Sequence, residues 1–204
     1  MFEFRHSFAA LLIILTAIAW AQEPPRFEVA GEYANLRSNT TPGGTPFHMD
    51  GFAGSAALNL RPMIAVVADI GTYYQGDVQG TKTSLRVTTY LFGPRVALRK
   101  YPYLTPFAHG LFGAAHAGGS LYTQPSVGSS GALGANNGFA VAVGGGLDLS
   151  LRHSFAFRIF QAEYLNTDFL NGKNNRQNNL RLGAGVVFRW GEGTAGSKRL
   201  GGNK

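Results

Sequence analysis

The chain has 204 residues, of which 14% are charged and 45% are apolar, and it contains 28 glycines and no cysteine. This composition is too apolar for a disordered chain and too rich in glycine for a helical bundle, and the lack of cysteine excludes disulfides, thiolate metal sites and a cysteine nucleophile. The net charge is +7, but the 18 lysines and arginines are scattered, unlike those of a typical nucleic-acid-binding protein.

The first apolar segment has the pattern of an export signal. Residues 8–21 (FAALLIILTAIAWA) follow Arg5 and end in a small-x-small motif. A transmembrane helix needs about 20 apolar residues, so this run is too short to span a bilayer. We therefore expect a cleaved signal peptide at residues 1–21, a barrel domain at residues 22–190 and a flexible tail rich in glycine and lysine at residues 191–204.

Most of the remaining chain alternates between apolar residues and polar or small ones, which is the pattern of β-strands with two different faces. The segment 180–190 is the clearest, because every even position is apolar and the odd positions include Arg181 and Arg189. The same alternation predicts strands near residues 27–33, 52–61, 64–70 and 139–149, and less regular ones within 85–99, 104–118 and 154–165.

Two of the less regular segments need a local explanation. Within residues 85–99 the alternation is expected to change phase between Arg86 and Arg95, with Arg95 pointing inward. In the next-to-last segment Arg158 has the opposite parity to Glu163, and a β-bulge near Ile159 would place both on one face.

The connections between the eight predicted strands alternate in length. Long or medium connections lie at residues 37–50, 76–83, 119–137 and 166–178, and short ones lie at residues 61–62, 99–103 and 151–153. A membrane barrel has short turns at the periplasmic rim and longer loops at the rim that faces outside. The expected fold is all-β, an eight-stranded antiparallel up-and-down transmembrane β-barrel in the cell outer membrane.

The content of the two strand faces indicates which face points outward. One face carries large apolar residues with aromatic residues towards the strand ends, namely Tyr33, Tyr74, Tyr164 and Trp190. The other face carries glycine, alanine and charged residues, which suit a narrow interior better than a surface in water. The aromatic ends fit the interfacial girdles of a membrane barrel. A soluble periplasmic lipocalin-like binder, with the opposite orientation, remains the alternative.

Charged residues of both signs lie on the predicted inner face. A bore of eight strands is only wide enough for side chains, and a lone buried charge is costly, so we expect ion pairs that plug the lumen. The candidate residues are Glu28, Glu32, Asp69, Arg95, Asp148, Glu163, Arg181 and Arg189. A narrow porin-like channel for small solutes stays open as the alternative.

Three phrases resemble the OmpA-like outer-membrane β-barrel superfamily: TTYLFGPRVALR at residues 88–99, PFAHGLFGAAH at 106–116 and NNLRLGAGVVFRW at 178–190. The similarity covers about residues 26–190. No part of it corresponds to the peptidoglycan-binding module of full-length members, so we do not expect that module here. It implies that the final strand is the signal read by the barrel assembly machinery. The residues that would carry this assembly signal are Leu182, Gly183, Phe188 and Trp190.

Catalytic chemistry has weak support in the sequence. His109 and His116 are seven residues apart, so on a regular strand they face opposite sides and cannot share a metal. A lipid-modifying triad of His116, Ser120 and Asp168 would need hydrogen bonds among these residues. We expect no enzyme activity, cofactor or metal site, and instead a structural or surface-interaction role in adhesion or envelope integrity.

The expected partners follow from that role. They are outer-membrane lipid, the barrel assembly machinery and a surface partner bound by the outer loops at residues 37–50, 119–137 and 166–178, with no nucleic acid.

Overall fold

A computed structural model describes residues 25–38, 46–78, 80, 82–119, 136–152, 154–169 and 176–191. In this part of the chain eight antiparallel strands form one closed sheet. The strands are β1 (Phe27–Ser38), β2 (Phe47–Asn59), β3 (Ile64–Gln75), β4 (Leu85–Ala97), β5 (Leu104–Gly118), β6 (Asn136–Arg152), β7 (Phe155–Thr167) and β8 (Gln177–Trp190). The expected eight-stranded up-and-down barrel is confirmed. The predicted signal peptide and nearly all of the predicted tail lie outside the described residues.

Closure of the barrel depends on the pairing of the first and last strands. β1 and β8 are antiparallel, with Phe27 opposite Trp190 and Arg37 opposite Leu180. Each of the other strands pairs with its two neighbours in sequence. Such a sheet has no free edge, so the backbone groups of every strand can find partners within it, as a bilayer requires. Among the described residues no helix is both long and apolar enough to span a membrane.

The two rims of the barrel differ as expected. The connections at residues 60–63, 98–103 and 153–154 lie at one rim, together with the start of β1 and the end of β8, and we call this the short-turn rim. The connections at residues 39–46, 76–84, 119–135 and 168–176 belong to the opposite rim, which we call the long-loop rim. The alternation of connection lengths predicted from the sequence is therefore confirmed.

The expected change of phase in β4 is wrong. Odd positions from Leu85 to Ala97 face inward along the whole strand, and Arg95 is among them. Arg86 faces outward near the long-loop rim, where its guanidinium carbon lies 5.9 Å from the centre of the Tyr74 ring. The alternation looked broken because the inner face of β4 is itself apolar near this rim, so apolar residues occur on both faces.

The expected bulge in β7 is confirmed. The register between β7 and β8 shifts between Arg158 and Gln161, and both Ile159 and Phe160 are exposed on the outside. The extra residue rotates the strand, so that Arg158 and Glu163 both point into the barrel despite their opposite parity.

Two glycines of β8 make room for a charged side chain of β1. A Cβ atom on Gly185 would lie 2.0 Å from the carbonyl oxygen of Gly31, and one on Gly183 would lie 2.9 Å from Oε2 of Glu32. Larger residues at these inner positions would therefore collide with the backbone of β1 or with the Glu32 carboxylate. The glycines allow the Glu32 carboxylate to lie inside the barrel, close to the inner face of β8.

Candidate functional site

The exterior of the barrel is apolar between two aromatic levels. Leu182 and Phe188 of β8 are 48% and 51% exposed, whereas Glu32 and Arg181 are 4% and 1% exposed. The predicted orientation is confirmed, and it is the reverse of a lipocalin-like barrel. The predicted girdle residues Tyr33, Tyr74, Tyr164 and Trp190 all lie on the exterior.

On the side of the long-loop rim, which we call the upper side of the barrel, polar contacts mark the limit of this apolar exterior. The Tyr33 hydroxyl donates to Asp50 Oδ1 at 2.7 Å, and the Tyr164 hydroxyl donates to Asn178 Oδ1 at the same distance. Amphipathic tyrosines with the ring on apolar surface and the hydroxyl on polar groups are typical of a membrane interface. The strands continue beyond this level towards the long-loop rim.

The lower interior, next to the short-turn rim, is organised around Glu28 of β1. Arg95 Nη2 donates to Glu28 Oε2 at 2.5 Å, and Arg99 Nη2 donates to Oε1. Asn59 Nδ2 adds a hydrogen bond to Oε1 at 3.0 Å, and Arg189 Nε lies 3.9 Å from the same oxygen. One buried carboxylate is thus surrounded by three guanidinium groups, which compensates for the loss of water around it.

A second group is organised around Arg158 of β7. Its Nε donates to Asp148 Oδ1 at 2.9 Å, and its Nη1 donates to Glu32 Oε1 at 2.7 Å and to Gln161 Oε1 at 2.8 Å. The guanidinium carbon also lies 4.5 Å from the centre of the Phe107 ring, within the range of a cation–π contact. Arg158 therefore links β6, β7 and β1 and packs on β5.

A third group lies deeper and is organised around Arg181 of β8. Arg181 Nη1 donates to Asp69 Oδ1 at 2.7 Å and to the Tyr73 hydroxyl oxygen at 3.0 Å, and Nε donates to Glu163. His109 Nε2 donates to the other oxygen of Glu163 at 2.5 Å. Asp69 belongs to β3, which is not a neighbour of β8, so this ion pair crosses the bore. Arg95 of β4 and Glu28 of β1 do the same.

The structure places all eight predicted lumen residues inside the barrel and gives each of them an oppositely charged partner. Arg99, Arg158 and His109 also belong to these groups, although they were not among the predicted lumen residues. Arg158 could have been included once the bulge was accepted. Arg99 lies beyond the end of β4, and the small residues on both faces of β5 gave no sign that His109 points inward.

The upper interior, towards the long-loop rim, is apolar, which the sequence analysis did not predict. The fully buried large apolar side chains of this layer are Leu36, Met49, Leu85, Leu111 and Leu165. A polar layer covers them: Gln177 Oε1 accepts from the backbone N–H of Phe169 at 2.9 Å, and the Ser38 hydroxyl donates to Asn179 Oδ1 at 3.1 Å. The sequence feature that indicates this layer is the presence of apolar residues on both faces of β4 near the long-loop rim.

Among the described residues, the groups considered for metal binding and catalysis do not come together. No cluster of three or more metal-ligating side chains occurs in the described ranges. His116 Nδ1 contacts Asn137 Oδ1 at 2.6 Å, and Asp168 Oδ1 lies 4.0 Å from Arg176 Nε. Ser120, the remaining member of the triad considered from the sequence, lies outside the described residues.

Comparison with solved structures identifies the architecture. Over 83% of this chain and 100% of the other, the barrel is similar to Neisserial surface protein A, with a TM-score of 0.62 and 13% identity. Ail of Yersinia pestis matches over 82% of this chain and 99% of its own, with a TM-score of 0.49 and 18% identity. The N-terminal barrel domain of Pseudomonas aeruginosa OprF matches over 83% of this chain and 100% of its own, with a TM-score of 0.47 and 17% identity.

No protein-family model matches the chain, and no curated protein matches it either. The fold that the sequence resemblance implies is confirmed: the chain forms a closed eight-stranded antiparallel barrel with an apolar exterior, similar in fold to Neisserial surface protein A.

Proposed function

We propose that this chain is a non-conducting outer-membrane barrel with a structural or surface-interaction role. The observation that supports the proposal is the set of ion pairs between strands that are not neighbours in the sheet. Arg181 reaches from β8 to Asp69 of β3, and Arg95 reaches from β4 to Glu28 of β1. Side chains that meet across the bore occupy the path that a solute would follow.

Opening such a lumen would be costly. In the described interior there are five carboxylates and five guanidinium groups, all less than 9% exposed. Separating a buried ion pair leaves charges without compensation, at about 3–5 kcal/mol for one broken pair. A layer of buried apolar side chains lies above the ion pairs, so a continuous channel would require rearrangement of both layers.

A closed interior leaves the outer surface to carry the function. Lipid surrounds the apolar exterior, and the connections of the long-loop rim are the segments that can vary without disturbing the barrel. We therefore keep adhesion or envelope integrity as the role, with any surface partner bound by the loops at residues 37–50, 119–137 and 166–178. Most of these loop residues lie outside the described residues.

Assembly of the barrel is the other interaction that we propose. Leu182, Phe188 and Trp190 project from the outer face of β8, and Gly183 lies on its inner face. Because β8 is the last strand and closes the barrel against β1, these residues are suitably placed for recognition by the barrel assembly machinery before closure.

Planar-bilayer recording tests the non-conducting lumen. The purified protein is expected to give no steady conductance, while a general porin in the same bilayer serves as the positive control. Steady single-channel steps from the wild-type protein would contradict the proposal and favour the narrow porin-like channel. If a variant that combines Arg158→Ala with Arg181→Ala then gave steps of larger conductance, the steps would be assigned to this lumen.

A further inference from the structure

A cavity of about 290 Å³ opens at the short-turn rim, next to the lower ion pairs of the lumen. Three arginines line it, Arg99, Arg152 and Arg189, together with the side chains of Ser150 and Thr105. No aspartate or glutamate is among the lining residues. The volume is close to the lower limit of about 300 Å³ for small-molecule pockets, so the cavity suits a compact ligand.

The hydrogen bonds of Arg189 leave part of its donor capacity unused. Its Nη1 donates to the Ser150 hydroxyl oxygen at 2.7 Å and its Nη2 donates to Asp148 at 3.2 Å. Its Nε lies 3.9 Å from Glu28 Oε1, on the lumen side, and makes no hydrogen bond in the described part of the chain. Each terminal nitrogen carries two N–H donors and uses one of them in these bonds, so donors remain for an anion in the cavity. Because Ser150 accepts from Arg189, its hydroxyl proton is available to the same ligand.

In the described part of the chain, the exposed charged residues at the rim around the cavity are all positive. Arg26, Arg61, Lys100 and Arg152 are exposed there, and the described residues of the short-turn connections include no acidic residue. Like charges around a concave site raise the local concentration of anions. The carboxylates behind the cavity are each bound to an arginine that does not line it, Glu28 to Arg95 and Asp148 to Arg158.

We propose that this cavity is a binding site for a phosphate group, held by Arg99, Arg152 and Arg189 with the Ser150 hydroxyl. Guanidinium groups match the geometry of phosphate oxygens and bind them through charge-assisted hydrogen bonds. The phosphate comes either from the headgroup of an anionic phospholipid, because the rim lies at a membrane surface, or from a soluble phosphate ester. The site is independent of whether the lumen conducts.

Titration calorimetry with inorganic phosphate, at constant ionic strength and in a phosphate-free maltoside detergent, tests the proposal. The wild-type protein is expected to bind, and Arg152→Gln is expected to weaken binding about tenfold through loss of a charge-assisted contact. Arg152 is exposed and outside the ion-paired groups, so the variant should fold normally. Arg61→Gln is the matched control, because it removes the same charge from the same rim outside the cavity.

The outcomes separate the site from general attraction. Binding that Arg152→Gln weakens and Arg61→Gln leaves within about twofold supports the proposal. Equal weakening by both variants, or no binding by the wild-type protein, overturns it. Repeating the titration in phosphatidylglycerol discs identifies the source: loss of the signal there indicates a site filled by lipid headgroups, and persistence indicates a soluble phosphate ester.

Discussion

Replacing Arg181 with methionine is expected to destabilise the folded barrel by about 3–5 kcal/mol. Arg181 is 1% exposed and binds Glu163, Asp69 and the Tyr73 hydroxyl. Methionine fills much of the volume but provides no charge, so two buried carboxylates would lose their shared partner. The free energy of unfolding can be measured by equilibrium denaturation in urea with the protein in lipid vesicles.

The exposed ion pair of Arg176 provides the control for this prediction. Arg176 Nε lies 4.0 Å from Asp168, and the Arg176 side chain is 76% exposed. Arg176→Met should therefore change the stability by less than about 1 kcal/mol. A variant that adds Glu163→Gln to Arg181→Met should recover part of the loss, because it removes one of the two carboxylate charges that Arg181 compensates. Wild-type stability in Arg181→Met would show that the buried ion pairs do not hold the barrel together.

Replacing Ala184 with arginine is the second change with a large expected effect. Ala184 lies on the outer face of β8, halfway between Trp190 at the short-turn end and Asn178 at the polar upper end. An arginine on the lipid face near the middle of the bilayer costs about 2–4 kcal/mol, and one near the interface costs about 0–1 kcal/mol. We expect Ala184→Arg to lose stability by the larger amount in the same urea titration.

Asn178→Arg is the matched control, because Asn178 faces outward above the apolar exterior, where it accepts from the Tyr164 hydroxyl. Asn178→Arg should lower the free energy of unfolding by no more than about 1 kcal/mol, the cost of an arginine near the interface. Equal stability losses in the two variants would show that depth in the bilayer has no influence, which contradicts a lipid-facing exterior.

The fold could be predicted from the sequence because strand faces in a membrane barrel differ strongly in composition. The alternation in residues 180–190 defined both faces of β8, and the opposite parities of Arg158 and Glu163 located the bulge in β7. The alternating lengths of the connections then distinguished the two rims. Each of these inferences depends only on local sequence and on the two-residue period of a strand.

The arrangement of the interior could not be predicted in the same way. Ion pairs such as Arg181 with Asp69 join strands that are not neighbours, so they depend on the diameter and tilt of the closed barrel rather than on sequence spacing. In β4, the buried Leu85 and Val87 concealed the inner face because they resemble the lipid-facing residues. Arg99 was missed because it reaches Glu28 from beyond the end of its strand.

A spin-label scan of β8 tests the orientation of the barrel most directly. The chain has no cysteine, so single cysteines can be placed one by one at residues 180–190 without removing native ones. In lipid vesicles, labels at even positions are expected to collide readily with oxygen dissolved in the bilayer, and labels at odd positions are expected to be shielded. The reverse alternation, or no alternation along the strand, would contradict an exterior that faces lipid and an interior that holds the charges.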